Sequence, residues 1–271
     1  MTTEDMKMKH TGNVNTRSLS DNGSYTDACE EAVNNQLSFE KFKRDPRYTR
    51  ILEHVSKDLG SQYLDVIKKQ TPEFFNKFEL FKKNDILGLP ITVNYPSVGL
   101  ISPSTLRYIK IASDIFTIFG DIKYDKICEI GAGYGGQMLI NDQIINYSEY
   151  HLFDLPPVLE LISKYLECHI LNGSYKTYTL NRYNGEQEYD LVISNYAFSE
   201  LPLELQKKYI FKILKNSKRG YLTMNSGLNS SVFKGNFLSV DQLKEFLPEI
   251  EVFKEEPETA KGNYVIVWNK L

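Results

Sequence analysis

Cysteine and histidine are too scarce here to organise the chain. The three cysteines, Cys29, Cys128 and Cys168, are odd in number and have no metal-ligand spacing. That argues against a disulfide framework and for a reducing compartment, with cytoplasm as the expected location. The four histidines, His10, His54, His151 and His169, form no HxxxH pair, so no built-in metal site is expected. No apolar run approaches the roughly 18 residues of a membrane-spanning helix, and the start at Met1, with Lys7, Lys9 and His10, lacks the apolar stretch of a secretory signal. Basic excess is missing too. With 32 Lys and Arg against 35 Asp and Glu, the net charge of −3 is not the footprint of a nucleic-acid binder.

What is present is enough for a large core: 41% apolar and 13% aromatic residues in a chain of 271. Residues 1–36, rich in Ser, Thr, Asn, Asp and Glu, read as a flexible or loosely docked arm, or one that folds over a partner subunit. From Phe39 to about Lys83 the apolar spacing is helical. Ile51, Leu52, Val55 and Leu59 share a face, Gly60 is expected to end that run, and Thr71-Pro72 to open the next. Gly88–Leu100 reads as a loop, and Ser102-Pro103 as the start of another helix ending near Gly120.

After Asp121 short strands alternate with helices. Strands are expected at Lys126–Ile130, Tyr150–Phe153, Cys168–Leu171, Tyr189–Ser194 and Tyr221–Met224, with helices at Gly135–Asn146, Pro156–Leu166 and Pro202–Asn216 between them. Such alternation predicts an α/β fold, a parallel sheet covered on both faces. Ser239 caps a short helix, and Glu251–Lys254 and Tyr264–Trp268 then read as a C-terminal antiparallel hairpin.

The chemistry concentrates where these strands end. Gly131-Ala132-Gly133-Tyr134-Gly135-Gly136 follows a buried strand, and glycines there let the backbone turn tightly against a ligand. The GxGxxG spacing alone also fits a dinucleotide site. Glu129, two residues earlier, shifts the balance: its carboxylate suits the α-ammonium of a sulfonium amino acid and would repel a pyrophosphate. Asp154, 18 residues past Gly136, has the spacing of a ribose-binding acid, or could cap the helix opening at Pro156. Asn172 and Ser174, after the expected third strand, are candidates for the adenine, with an ordinary turn as the alternative. Asn195, Tyr196, Ser199 and Glu200 collect at the end of the fourth strand. Glu200 could act as general base or merely complement a helix N-terminus. Tyr134, Tyr196 or Phe198 could flank a sulfonium or pack in the core. Arg107 and Tyr108, in the polar opening Ser102–Tyr108, could belong to a lid and reach an acceptor or the carboxylate of a sulfonium cofactor, or be a solvated cap.

The segments Cys128–Gln137, Tyr150–Tyr165, Tyr189–Leu201, Ile101–Lys110 and Arg219–Asn225 together resemble the sugar O-methyltransferase family, over roughly residues 45 to 225. The resemblance implies a Rossmann-like class I methyltransferase fold, S-adenosylmethionine (SAM) as cofactor and a carbohydrate-type hydroxyl as acceptor. With that cofactor, the residues expected to bind it are Glu129, Gly131, Ala132, Gly133, Gly135, Asp154, Leu155, Asn172, Ser174 and Asn195. A second resemblance, to plant small-molecule O-methyltransferases, aligns Ser199-Glu200 with a His-Asp pair. The histidine is therefore absent, and Glu200 is the fallback base beside Ser199 and Tyr196. Arg107, Tyr108 and Tyr196 are left to face the acceptor. The expected organisation is an arm over 1–36, a helical lid or substrate region over 37–120 and the SAM-binding domain over 121–271, with neither nucleic acid nor membrane as partner. A homodimer is compatible with it. The rival readings are an NAD(P)-dependent oxidoreductase and a non-catalytic module that keeps the fold.

Overall fold

The computed structural model describes residues 23–227 and 238–269. The described residues begin with α1 (Ser24–Asn34), α2 (Gln36–Phe39), α3 (Pro46–Thr49), α4 (Lys57–Gln70) and α5 (Phe78–Phe81). A two-stranded ribbon, β1 (Val93–Tyr95) and β2 (Gly99–Ile101), leads into α6 (Pro103–Phe119). The α/β part runs β3 (Lys123–Ile130), α7 (Gly136–Asn141), β4 (Asn146–Phe153), α8 (Pro156–Leu166), β5 (Ser174–Tyr178) and β6 (Leu191–Asn195). It continues with α9 (Ala197–Glu200), α10 (Leu203–Lys212), β7 (Arg219–Met224), α11 (Val240–Phe246), β8 (Glu251–Lys254) and β9 (Tyr264–Asn269).

Seven strands form one sheet in the order β5-β4-β3-β6-β7-β9-β8. The first five are parallel, whereas β9 is antiparallel to both β7 and β8, so the terminal hairpin closes one edge. Pairing of Ile130 with Phe153 and with Ser194 brings three strand ends level. Period-2 alternation sends Ile127 to the core beneath α6 and α8, and Cys128 and Ile130 to the opposite core with Ile210 and Leu243. Among the described residues no helix is long and apolar enough to cross a membrane.

The end of the expected arm is a firmly packed helix, neither flexible nor loosely docked. Residues 1–22 lie outside the described residues, but Ser24–Asn34 is a helix docked on α8, with Tyr25, Ala28, Cys29 and Ala32 buried. Those positions are spaced i, i+3, i+4, i+7, an apolar stripe set among polar residues. Lys164 Nζ donates to the carbonyls of Ala32 and Val33 at 3.0 and 2.8 Å, closing the exposed end of α1. Tyr25→Ala should therefore lower the unfolding free energy by about 3–5 kcal/mol, the range for truncating a buried aromatic. Urea denaturation checks this, and a freely mobile arm would give no change.

Other departures are local. Gly60 lies inside α4 instead of ending a helix, because α4 passes so close to the ribbon that a Cβ there would meet Tyr95 Oη at 2.1 Å. Gly88–Leu100 contains the ribbon, not only a loop. The helix expected to reach Asn146 stops at Asn141, and Asp142 instead accepts from Tyr147 Oη at 2.6 Å and Asn172 N at 2.9 Å. The strand expected at Cys168–Leu171 is displaced to Ser174–Tyr178. Residues 168–171 form the turn leaving α8, with Ile170 fully in solvent, and the true strand is a half-exposed sheet edge of polar composition.

Candidate active site

The strand order reverses at β3, between β4 and β6, and open α/β sheets take ligands beyond the strand ends at such a point. A cavity of about 400 Å³ opens there. Gly131, Gly133 and Ala132 line it directly after β3. Gly131 has φ 73°, and a Cβ on it would lie 2.0 Å from the Ala197 Cβ, so the β3 and β6 turns touch through a position only glycine fills.

Glu129 shares its face of β3 with Ile127, so it lies on the side of the sheet covered by α6 and α8. Its carboxylate is 2% exposed, accepts from Tyr150 Oη at 2.8 Å and lines the cavity. Burial pushes it up to about 8, against the Tyr150 hydrogen bond and with help from Asp154. No lysine or arginine pairs with it among the described residues. A buried carboxyl in that position, open to the cavity, could accept a cationic ligand group.

Asp154, one strand over, accepts from Gly133 N at 3.0 Å through one oxygen and from Leu155 N at 2.8 Å through the other. Burial raises it to about 6 in spite of these bonds. Each oxygen keeps a lone pair for a ligand hydroxyl. The helix after it is capped by Leu155 with no side-chain bond, so Asp154 does not serve as its N-cap.

On the β6 side, Tyr196 has φ 65°, a strained value for a bulky residue and one that collects at functional sites. Its hydroxyl donates to Glu255 and lies 3.1 Å from Thr259 Oγ1. Burial and the neighbouring Glu255 carboxylate hold the phenol well above its ordinary range, so it keeps its proton. Tyr196 therefore lines the site without being a base. Glu200 also lines the cavity, with Asn225 Nδ2 donating to it at 3.2 Å; burial pushes its carboxyl up to about 7. That value suits a proton acceptor at neutral pH.

The cavity thus brings together Glu129, Gly131, Ala132, Gly133, Asp154 and Asn195, and with them Arg107, Tyr108, Tyr196 and Glu200. Five expected site residues are not brought there. Ser199 donates to Tyr196 O at 2.6 Å and accepts from Asn225 N at 3.0 Å, so its hydroxyl fastens two turns together and is no catalytic group. Gly135 begins α7 against Leu166, and Leu155 reaches the site only through its N–H on Asp154. Asn172 sits just before β5 and Ser174 opens it, at the opposite end of the sheet, where Asn172 Nδ2 donates to Asp142 O at 2.7 Å and Ser174 Oγ to Ser148 O at 3.1 Å. They are not adenine contacts; the strand displacement carried both away.

Sequence reasoning also missed several lining groups: Tyr25, Leu52, His54, Asn225, Thr259 and Asn263. Leu52 lies against the glycine turn, and the same segment is anchored by Tyr134 Oη, which donates to Glu53 at 2.9 Å. His54 is held below its usual range by burial and by Arg107, so it is neutral at pH 7. Among the described residues no group of three His, Cys, Asp or Glu side chains could hold a metal ion.

A sheet of this order, parallel except for the hairpin beside its last parallel strand, is the class I methyltransferase fold. The sequence matches no protein-family model and no curated protein. Among solved structures it is similar to TehB from Haemophilus influenzae, with 16% identity, a TM-score of 0.46, and 59% of this chain and 61% of that chain covered. The match thus spans about three-fifths of TehB. It is also similar to the N-terminal domain of EvdMO1 with SAH bound, with 14% identity, a TM-score of 0.48, and 74% and 97% covered. N-methyltransferase NodS from Bradyrhizobium japonicum WM9 gives 8% identity, a TM-score of 0.44, and 60% and 94% covered.

Proposed function

We propose that the protein is a SAM-dependent O-methyltransferase acting on a hydroxyl of a small, carbohydrate-type acceptor. The observation that carries this reading is the buried Glu129 carboxylate facing the cavity beside the glycine turn, with Asp154 at the next strand end. The residues fit the cofactor: Glu129 would hold the α-ammonium, Asp154 the ribose hydroxyls, and Gly131 and Gly133 allow close approach. When bound, SAM supplies a methyl group on a positively charged sulfur. Glu200 would take the proton from the acceptor hydroxyl, and alignment of the two substrates supplies ~7–11 kcal/mol of the barrier reduction. Tyr25 and residues 51–59 would exclude water, the part of a lid.

Calorimetric titration with SAM, and with NADH as control, tests the reading. SAM binding without NADH binding is expected. NADH binding alone would move the chain to the oxidoreductases, because it would mean that Glu129 tolerates a pyrophosphate.

A further inference from the structure

Arg107 is a buried cation without an ion-pair partner among the described residues; the Glu53 carboxylate acts on it only at longer range. It is 8% exposed, and its guanidinium stacks beside Tyr108 and Tyr196, 5.6 and 5.8 Å from the ring centroids. Among the described residues no carboxylate lies within ion-pair distance, and its Nε–H has no hydrogen-bond partner. One turn further along α6, Lys110 is equally buried but meets Asp114 at 2.6 Å. A guanidinium cannot shed its proton to escape the desolvation cost, so the charge favours an anion brought into contact with it. The cavity, which Arg107 lines, gives that anion room to arrive.

A second orphaned atom lies in the same wall. Asn195 Oδ1 is buried and without a donor, while its Nδ2 donates to Gln137 Oε1 at 3.3 Å. The cavity therefore presents an unmet charged donor and an unmet acceptor. A ligand that satisfies both carries an anionic oxygen group and a hydroxyl. Arg107 stacks on Tyr196, in the turn that also carries Glu200, which puts the charge on the acceptor side. Glu129 and Asp154 occupy the cofactor side.

We infer that the acceptor is acidic: Arg107 binds a carboxylate or phosphate on it, and Asn195 Oδ1 accepts from one of its hydroxyls. This rests on the methyltransferase reading above and narrows its substrate class. Calorimetry on protein saturated with S-adenosylhomocysteine (SAH) tests it, using hexoses, the matching hexuronates and the matching hexose phosphates. The better acidic member should bind about 10–100-fold more tightly than its neutral counterpart, the range of one charged hydrogen-bonded contact. Preference for uronate or for phosphate identifies which anion is read. Arg107→Met should abolish the margin and Arg107→Lys should keep part of it, both with unchanged SAH affinity. Should Arg107→Met fail to fold, Arg107→Lys, which keeps the charge but loses the planar fork, carries the comparison.

Three results overturn the inference: no margin for any acidic member, a margin that survives in both variants, or SAH affinity that falls in them while the margin stays. The last would give Arg107 to the carboxylate of the cofactor. Failure of the wild-type protein to bind SAH at all is a different result, which removes the methyltransferase reading itself and this proposal with it.

Discussion

Glu200→Gln should lower methyl transfer by about 10²–10⁴-fold, the usual worth of a positioned general base, while SAH affinity stays unchanged. Glu200 lines the cavity beyond the end of β6, and Asn225 Nδ2, donating at 3.2 Å, fixes its carboxylate. Burial raises the carboxyl to about 7, so the proton-accepting form dominates only above that pH. The wild-type rate should accordingly rise tenfold per pH unit below about 7 and level off above it, and the variant's residual rate should be flat across the same range. Ionising this group in the fold costs stability as pH climbs from 4.5, its ordinary value, through about 7. Gln removes that cost. The variant should be at least as stable as the wild type at pH 8, so lost turnover cannot be laid to unfolding. Full activity in Glu200→Gln would remove Glu200 from the mechanism. The neutral His54, at the same cavity, would then be the group to change next.

The parts of this site that could be read in the sequence are those made by one strand and the turn after it. Glu129 and Gly131 belong to a single β3-turn unit, and Asp154 follows the last residue of β4, so local pattern and period-2 alternation are enough to place them. The antiparallel hairpin was legible for a similar reason: the connection from Lys254 to Tyr264 is too short for a crossover helix. Groups that arrive through tertiary packing were not legible. Tyr25 comes from a helix of polar average composition, whose stripe reveals itself only against α8. Leu52 and His54 come from turns before α4, and Thr259 and Asn263 from the hairpin loop, held by Tyr196 and Glu255. Asn172 and Ser174 were misassigned because an edge strand is only half-buried. The apolar run at residues 168–171 therefore looked more like the strand than Ser174–Tyr178 itself. Burial of Ser199 gives no sequence signal at all; only its partners Tyr196 O and Asn225 N distinguish a fastening hydroxyl from a reactive one.

Cofactor binding should release a proton near neutral pH, and Glu129 is its source. In the ligand-free protein burial raises this carboxyl to about 8, so at pH 7 it is mostly neutral. An α-ammonium set against it favours the ionised form, lowers its pKa and expels the proton. Affinity for SAM should therefore weaken on acidification below about 8, by up to about tenfold per pH unit. The binding enthalpy at pH 7 should shift between buffers of different ionisation enthalpy. Asp154, raised only to about 6, is already mostly ionised at pH 7 and contributes to this release mainly at lower pH. The two acids can thus be told apart. Glu129→Gln should abolish the buffer dependence at pH 7 and weaken SAM binding by about 10–100-fold, the loss of one charged hydrogen-bonded contact. Asp154→Asn should weaken binding but keep the buffer dependence. Apo stability supplies an independent check, since a neutral buried acid stabilises the fold below 4.5, its ordinary value, and that contribution is lost as pH rises through about 8. Glu129→Gln should flatten this loss. A wild-type enthalpy identical in every buffer at pH 7 would mean that no proton leaves Glu129 on binding, and the α-ammonium would have to be held elsewhere in the cavity.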